Sequence, residues 1–202
     1  MTSPASQTTA QEPRHEHYLR LLEGMTRAVA TKSYADITIA DIVREAAVSR
    51  RSFYEHFATK ADCLLALYES ASKQALFVLS AAVDPTQPWR SQVNHALTAY
   101  LDVLALDQAL LKTLFVEILG LGLPGLAVRR RVNEQLAMFI QIATATGENH
   151  RMSASMAMMI VGGINELILQ KVEAGQSGEL RSLVAPASQL IRAVAASESA
   201  DA

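Results

Sequence analysis

Three helix-start signals at close spacing, Thr38, Ser49 and Thr59, constrain this chain more than any other feature. Thr38 is followed three residues on by Asp41, and Thr59 by Asp62, the Thr-x-x-Asp form of a capping box. Ser49, a good N-cap, lies between them. The starts are 11 and 10 residues apart, so each enclosed helix has only about two turns. Helices that short do not stand alone in water and must be packed. Ile39, Ile42, Val43 and Ala46 supply the apolar face of the first, and Val48, Phe53 and Phe57 point inward around the second. Helical spacing then puts Arg50, Arg51 and Tyr54 on the outward face of the second helix, with Phe53 inside. Two short paired helices followed by a third, with an exposed Arg-Arg-Ser-x-Tyr surface on the second, have the form of a DNA major-groove reader.

The remaining chain reads as helical. Of 202 residues, half are hydrophobic and 19% charged, enough apolar material for one large or two small domains and too much for global disorder. Ala, Leu and Met are abundant, and neither an Asn-Gly or Asp-Gly hairpin signal nor an alternating strand pattern occurs. Helices are expected over 16–32, 60–83, 89–106, 107–119, 125–146, 152–174 and 178–195. With the two short ones that makes nine. The 60–83 helix is the natural mechanical link between the reader and the rest. Pro124 suits a first turn, Gly147 and Gly175 end helices, and Pro186 should bend or interrupt the last. Residues 1–15 and 198–202 are expected to be flexible tails, 16–68 the reader domain, and 69–197 a helical domain.

Charge narrows the partners. The net charge is −2, and residues 1–70 carry 8 Lys/Arg against 9 Asp/Glu. DNA affinity must therefore come from a few placed contacts and from pairing of subunits, not from a broad positive field. Cys63 is the only cysteine, so no internal disulfide forms; its spacing with Leu67 suggests a buried thiol. The N-terminal tail lacks the form of a signal peptide, and the longest charge-free run, Met152–Asn165, is 14 residues, short of a membrane span. A cytoplasmic protein without a membrane association is expected. His15 and His17 diverge on a helix with no third ligand nearby in sequence, so no metal is expected, and no cofactor. Nucleophile elbow, phosphate loop, HExxH and paired catalytic carboxylates are all missing, which argues against an enzyme.

Leu21 to Tyr68 resembles the DNA-binding domain of the TetR family of bacterial transcription regulators. The residues that carry the resemblance are Lys32-Ser33-Tyr34, Thr38, Asp41-Ile42, Ala46-Ala47-Val48-Ser49-Arg50, Ser52-Phe53-Tyr54, His56-Phe57 and Lys60. It implies an all-α, nine-helix architecture with an N-terminal three-helix helix-turn-helix domain and a C-terminal helical domain that binds a ligand and dimerises. It also implies a homodimer on a double-stranded operator, a small-molecule effector, and a repressor role. Thr38, Ser49, Tyr54, His56 and Lys60 would mainly meet phosphates, while Arg50, Arg51 and Ser52 approach bases. His56 has a second reading, as a cap on its helix end. Three departures stand out: Ala47 and Ser33 occupy positions where the family favours glycine, and Arg51 one where it favours a small residue. Arg51 either adds a base contact or folds onto Glu55.

Candidate ligand-lining residues are Tyr100, Leu104, Phe115, Glu117, Met138, Phe139, Met159 and Asn165, whose apolar, Met-rich character suits a greasy ligand. Asn165 and Glu117 interrupt apolar stripes and need a polar partner, either a ligand or a neighbouring side chain. The 152–174 helix is apolar nearly all round, so its second face should meet another copy of the chain. Met156, Ile160, Gly163 and Leu167, with Leu183, Leu190, Ile191 and Val194 of the last helix, are the expected dimer contacts in a four-helix bundle. The alternative is a DNA-bound adaptor whose C-terminal domain holds a protein partner instead of a small molecule.

Overall fold

The computed structural model describes residues 8–84, 86–145 and 152–200. It holds nine α-helices and no strand among the described residues, as the all-α expectation requires. The helices are α1 (Thr8–Thr31), α2 (Ile39–Ala46), α3 (Arg50–Tyr54), α4 (Lys60–Ala81), α5 (Trp89–Leu106), α6 (Gln108–Phe115), α7 (Leu123–Ala143), α8 (Ala154–Glu173) and α9 (Val184–Ala200). The chain divides into two compact units, Met1–Tyr68 and Glu69–Ala202.

In the first unit α1 packs on α2, and α3 closes the corner. Leu21, Leu22, Met25, Ala28 and Val29 repeat at helical spacing on α1 and are all buried, against Ile42, Ala46, Phe53 and the Cys63-Leu64 end of α4. Gly24 sits where α1 meets α2. A Cβ there would lie 2.7 Å from the Ile42 carbonyl oxygen and 2.8 Å from the Ala46 Cβ, so only glycine allows this approach. Cys63 is fully buried, with its Sγ 3.8 Å from the Leu21 carbonyl. Burial pushes its thiol up to about 12, which makes it inert.

In the second unit α5 packs on α9 and the short 3₁₀ segment before it, and α7 packs on α8. Leu101, Leu111, Ile118, Ile160, Ile168 and Leu180 form its innermost layer. Several boundaries differ from expectation. Helix α1 begins at Thr8, so the expected tail over 1–15 is helical from residue 8; residues 1–7 lie outside the described residues. Likewise α9 reaches Ala200, and 201–202 lie outside. The segment Ser177–Leu183 is 3₁₀ and α9 starts only at Val184. Pro186 therefore sits in a first turn, where its missing N–H leaves nothing unpaired, instead of bending a helix. Pro124 does occupy the first turn of α7. That helix ends at Ala143 with Thr144 as its cap, and Gly147 lies outside the described residues.

Candidate functional site

The turn between α2 and α3 is built by side chains that cap helix ends. The Thr38 hydroxyl accepts from the Asp41 N–H at 3.2 Å, and the Asp41 carboxylate accepts from the Thr38 N–H at 3.0 Å and hydroxyl at 2.7 Å. Lys32 Nζ at 2.8 Å and Arg44 at 3.0 Å complete the shell of Asp41. The Lys32 hydrogen bond, then those from Thr38, hold this carboxyl well below the usual carboxylate range. Its ionised form is thus bound more tightly in the folded state. The stabilisation is fully present above the unfolded value, about pH 4, and is lost as acid is added below it. An Asp41→Asn variant is expected to melt lower than the parent at pH 7 and to lose less on going to pH 3, measured by thermal melts across that range.

Ala47 ends α2 in the left-handed region at φ 51°, ψ 45°. Alanine carries roughly 1–2 kcal/mol of strain there. Two arginines of α1 brace the turn: Arg20 donates to the Ala46 and Ala47 carbonyls at 3.0 and 2.7 Å, and Arg27 donates to the Glu45 carbonyl. The cations also oppose the negative end of α2. Ala47→Gly relieves the strain but loosens the unfolded chain by about 0.4–1 kcal/mol. The expected net is a gain near 0.5–1 kcal/mol, seen as a rise in denaturant midpoint.

Helix α3 presents the expected outward face. Ser49 caps it, accepting from the Ser52 N–H at 3.0 Å, and the two hydroxyls lie 3.0 Å apart. Phe53 is fully buried while Tyr54 is 60% exposed. Arg50 is exposed, with no hydrogen bond or ion pair among the described residues. Arg51 is exposed too, but its Nε donates to Glu55 Oε1 at 3.1 Å. Of its two readings, the structure holds the pairing with Glu55.

Two expected phosphate contacts are placed differently. Lys60 turns inward: its ammonium donates to the carbonyls of Tyr34, Ala35 and Ile37 at 3.0, 3.1 and 2.7 Å and lies 4.6 Å from the Tyr34 ring centre. An ammonium has three protons, and all three are used here. The phosphate role inferred for Lys60 is therefore corrected to a tie that holds the corner between α1 and α2. Lys60→Met would leave three carbonyls facing an apolar chain. Charged hydrogen bonds contribute about 1.5–3 kcal/mol each, and partial rehydration limits the net loss to roughly 3 kcal/mol. A fall in Tm of at least 10 °C is expected for a unit this size. His56 is half-buried against Tyr18 and Phe57, and its Nε2 is buried with no partner among the described residues. Burial first, then Arg14 and His17, lower its pKa, so it stands as a neutral ring at pH 7.

The second unit contains an apolar cavity of about 50 Å³. Of the expected lining residues, Tyr100, Phe139 and Asn165 border it. Leu104 and Phe115 are buried elsewhere in the core. Glu117 is ion-paired to Lys112 at 3.0 Å, and Met138 and Met159 are each 61% exposed. Those five are not among the residues that border this cavity. Residues not anticipated include Leu79 near the end of α4, Val83 just after it, and Val93, Ala96 and Leu97 on α5. The α5 set repeats at helical spacing with Tyr100, a signal that was available but is shared by any core stripe. The Asn165 Nδ2 donates to Asn133 Oδ1 at 3.0 Å, so one of its polar atoms has a side-chain partner across the α7–α8 interface.

Residues 21–67 match the sequence model of the bacterial regulatory proteins of the tetR family. The match falls within the first compact unit. A curated relative, an uncharacterized HTH-type transcriptional regulator of Bacillus subtilis, is 30% identical over 74 residues, 37% of this chain. The match spans only a fifth of that relative's length. Solved structures extend the likeness to the fold of nearly the whole chain. The fatty acid degradation regulator of Bacillus halodurans superimposes with a TM-score of 0.73 at 18% identity, over 86% of this chain and 97% of its own. The related regulator of Bacillus subtilis, solved in complex with stearoyl-CoA, gives 0.74 at 15% identity over the same shares. A tetR-family regulator of Syntrophomonas wolfei gives 0.70 at 18%, over 90% and 96%.

In the second unit, α8 and α9 expose an apolar face. Met159 and Leu167 (38%) of α8 and Leu190 (43%) of α9 face solvent, Val194 is half-exposed, and Met156 is half-buried. A Cβ added at Gly162 or Gly163 would meet nothing within 4 Å among the described residues of its own chain. Ile160, Leu183 and Ile191, expected as dimer contacts, are buried within the protomer, and Ile191 borders the cavity. Met159, assigned above to the ligand, joins the exposed face instead. Among the described residues no helix is long and apolar enough to cross a membrane, and no group of three His, Cys, Asp or Glu is placed to hold a metal.

Proposed function

We propose that the chain is a homodimeric repressor that binds a near-palindromic operator and is released by a small, largely apolar ligand. The observation that carries the reading is the exposed, unpartnered Arg50 beside the exposed Tyr54 on a capped short helix whose opposite face is buried. An Arg in that position can grip guanine O6 and N7 with two hydrogen bonds. Backbone N–H groups at the starts of α2 and α3, with the Ser49, Ser52 and Tyr54 hydroxyls, suit phosphate oxygens. Thr38 would serve by capping α2, since Asp41 holds both its backbone N–H and its hydroxyl.

Pairing follows from α8 and α9. Two glycines inside a helix cost on the order of 2 kcal/mol of propensity, and no described residue of the same chain makes use of their openness. A partner backbone approaching over Gly162 and Gly163 accounts for both. Two readers would then meet successive major grooves.

The cavity supports a ligand-responsive mechanism over the adaptor reading, which calls for a filled interior. Its present volume admits only a few atoms. A larger effector would have to part the surrounding helices, and so would bind one arrangement better than another, as any switch requires. Helix α4 would carry that change, because Leu79 borders the cavity while Cys63, Leu64 and Leu67 are buried in the reader core. The test is unbiased selection of genomic fragments by the purified chain. Enrichment of an inverted repeat is expected; no enriched fragment under any condition would sink the reading.

A further inference from the structure

We propose that the cavity takes an uncharged, mainly apolar molecule bearing one hydrogen-bond donor, which meets the Asn165 amide oxygen. The inference rests on the cavity being the effector site, as proposed above. Each described residue that borders the cavity is uncharged. A ligand carboxylate or phosphate there would shed its water and meet no cation, an arrangement that buried charges avoid.

The polar groups point the same way. Gln92 Nε2 donates to the Gln87 carbonyl at 2.6 Å, the Thr144 hydroxyl donates to the Ile140 carbonyl at 2.7 Å, and Asn165 Nδ2 donates to Asn133. These groups have each committed a donor to the protein. The Asn165 Oδ1 acceptor takes no hydrogen bond among the described residues. Asn165 is buried as a residue, yet its Oδ1 is not one of the fully enclosed, unpartnered polar atoms, so it still reaches open space, and its complement there is a ligand hydroxyl or N–H. An ionised carboxylate has no proton to offer. Tyr100 adds a phenol that already has an interaction within the protein, and the other bordering side chains, Leu97, Leu136, Phe139, Val161 and Ile164 among them, are aliphatic or aromatic. They recognise the ligand body by burial alone. Charge and hydrogen bonding thus select a neutral alcohol or amide over an acid of the same chain length.

The experiment compares four ten-carbon probes on the full chain: decanol, its methyl ether, decanoate and decanoyl-CoA. Each competes against an apolar fluorescent dye, with titration calorimetry as the direct check. Decanol is expected to bind on the order of tenfold or more tighter than decanoate and the thioester, and several-fold tighter than the ether. Two filling variants, Ala96→Leu and Ala143→Leu, should weaken decanol, with circular dichroism confirming that at least one folds. Asn165→Leu should erase the advantage of alcohol over ether. Asn165→Ala, which also removes the acceptor, should erase that advantage too and serves if the leucine variant does not fold. Decanoate or the thioester binding as tightly as decanol, in a manner lost on filling, would overturn this inference and leave the cavity as the effector site. No displacement by any probe, or displacement unmoved by filling, would overturn both. An alcohol preference that survives in both Asn165 variants would overturn the role of Asn165.

Discussion

Arg50→Ala is expected to leave the fold unchanged and to weaken operator binding by about 30-fold to 10⁴-fold. The fold should survive because the Arg50 side chain is exposed and holds no partner among the described residues. The binding loss follows from guanine recognition. A bidentate Arg–guanine contact contributes about 1–3 kcal/mol of discrimination, and a dimer makes it twice. Selectivity should fall more than the salt dependence, since a base contact and not a phosphate contact is removed. Arg51→Ala is the internal control. Its guanidinium is held by Glu55, so a change of no more than a few-fold is expected. Gel shifts on the selected operator and on a scrambled duplex, each at two salt concentrations, separate these outcomes.

The second large effect is expected from the α8–α9 face. Met159→Arg combined with Leu167→Arg should give a folded monomer. Both side chains are already exposed in the protomer, so cationic replacements cost little there. In a paired bundle the same two positions would bury four unmatched charges, and each costs several kcal/mol. Losing the partner removes the avidity of the second half-site, on the order of 10²–10⁴-fold in operator affinity. Sedimentation gives the mass, and a half-site duplex gives the residual affinity. Retention of the dimer would place the interface elsewhere.

What the sequence made legible was local. The caps at Thr38, Ser49 and Thr59 involve residues three apart and could be read from spacing alone, and all three form. So could the division of Phe53 from Tyr54, since adjacent residues on a capped helix cannot share a face. Lys60 was not legible. Its partners lie 23 to 26 residues away, at the end of a turn, and a lysine at a helix start has the same sequence appearance whether it faces carbonyls or a phosphate. The 3₁₀ segment before α9 escaped for a similar reason, because Pro186 fits a first turn as well as a kink. The cavity was least accessible. Its walls come from several helices, and an apolar residue beside a void obeys the same periodicity as one beside a neighbour. Met159 illustrates the limit: helical spacing could not tell an inner wall from a surface awaiting a second copy.

The most direct test of the account is the mass of the protein–DNA complex on the selected duplex, measured by native mass spectrometry. Each chain weighs 21.9 kDa. The account requires two chains on a duplex carrying both inverted half-sites, and a marked loss of binding when one half-site is scrambled. A single chain bound with full affinity, indifferent to the second half-site, would contradict it.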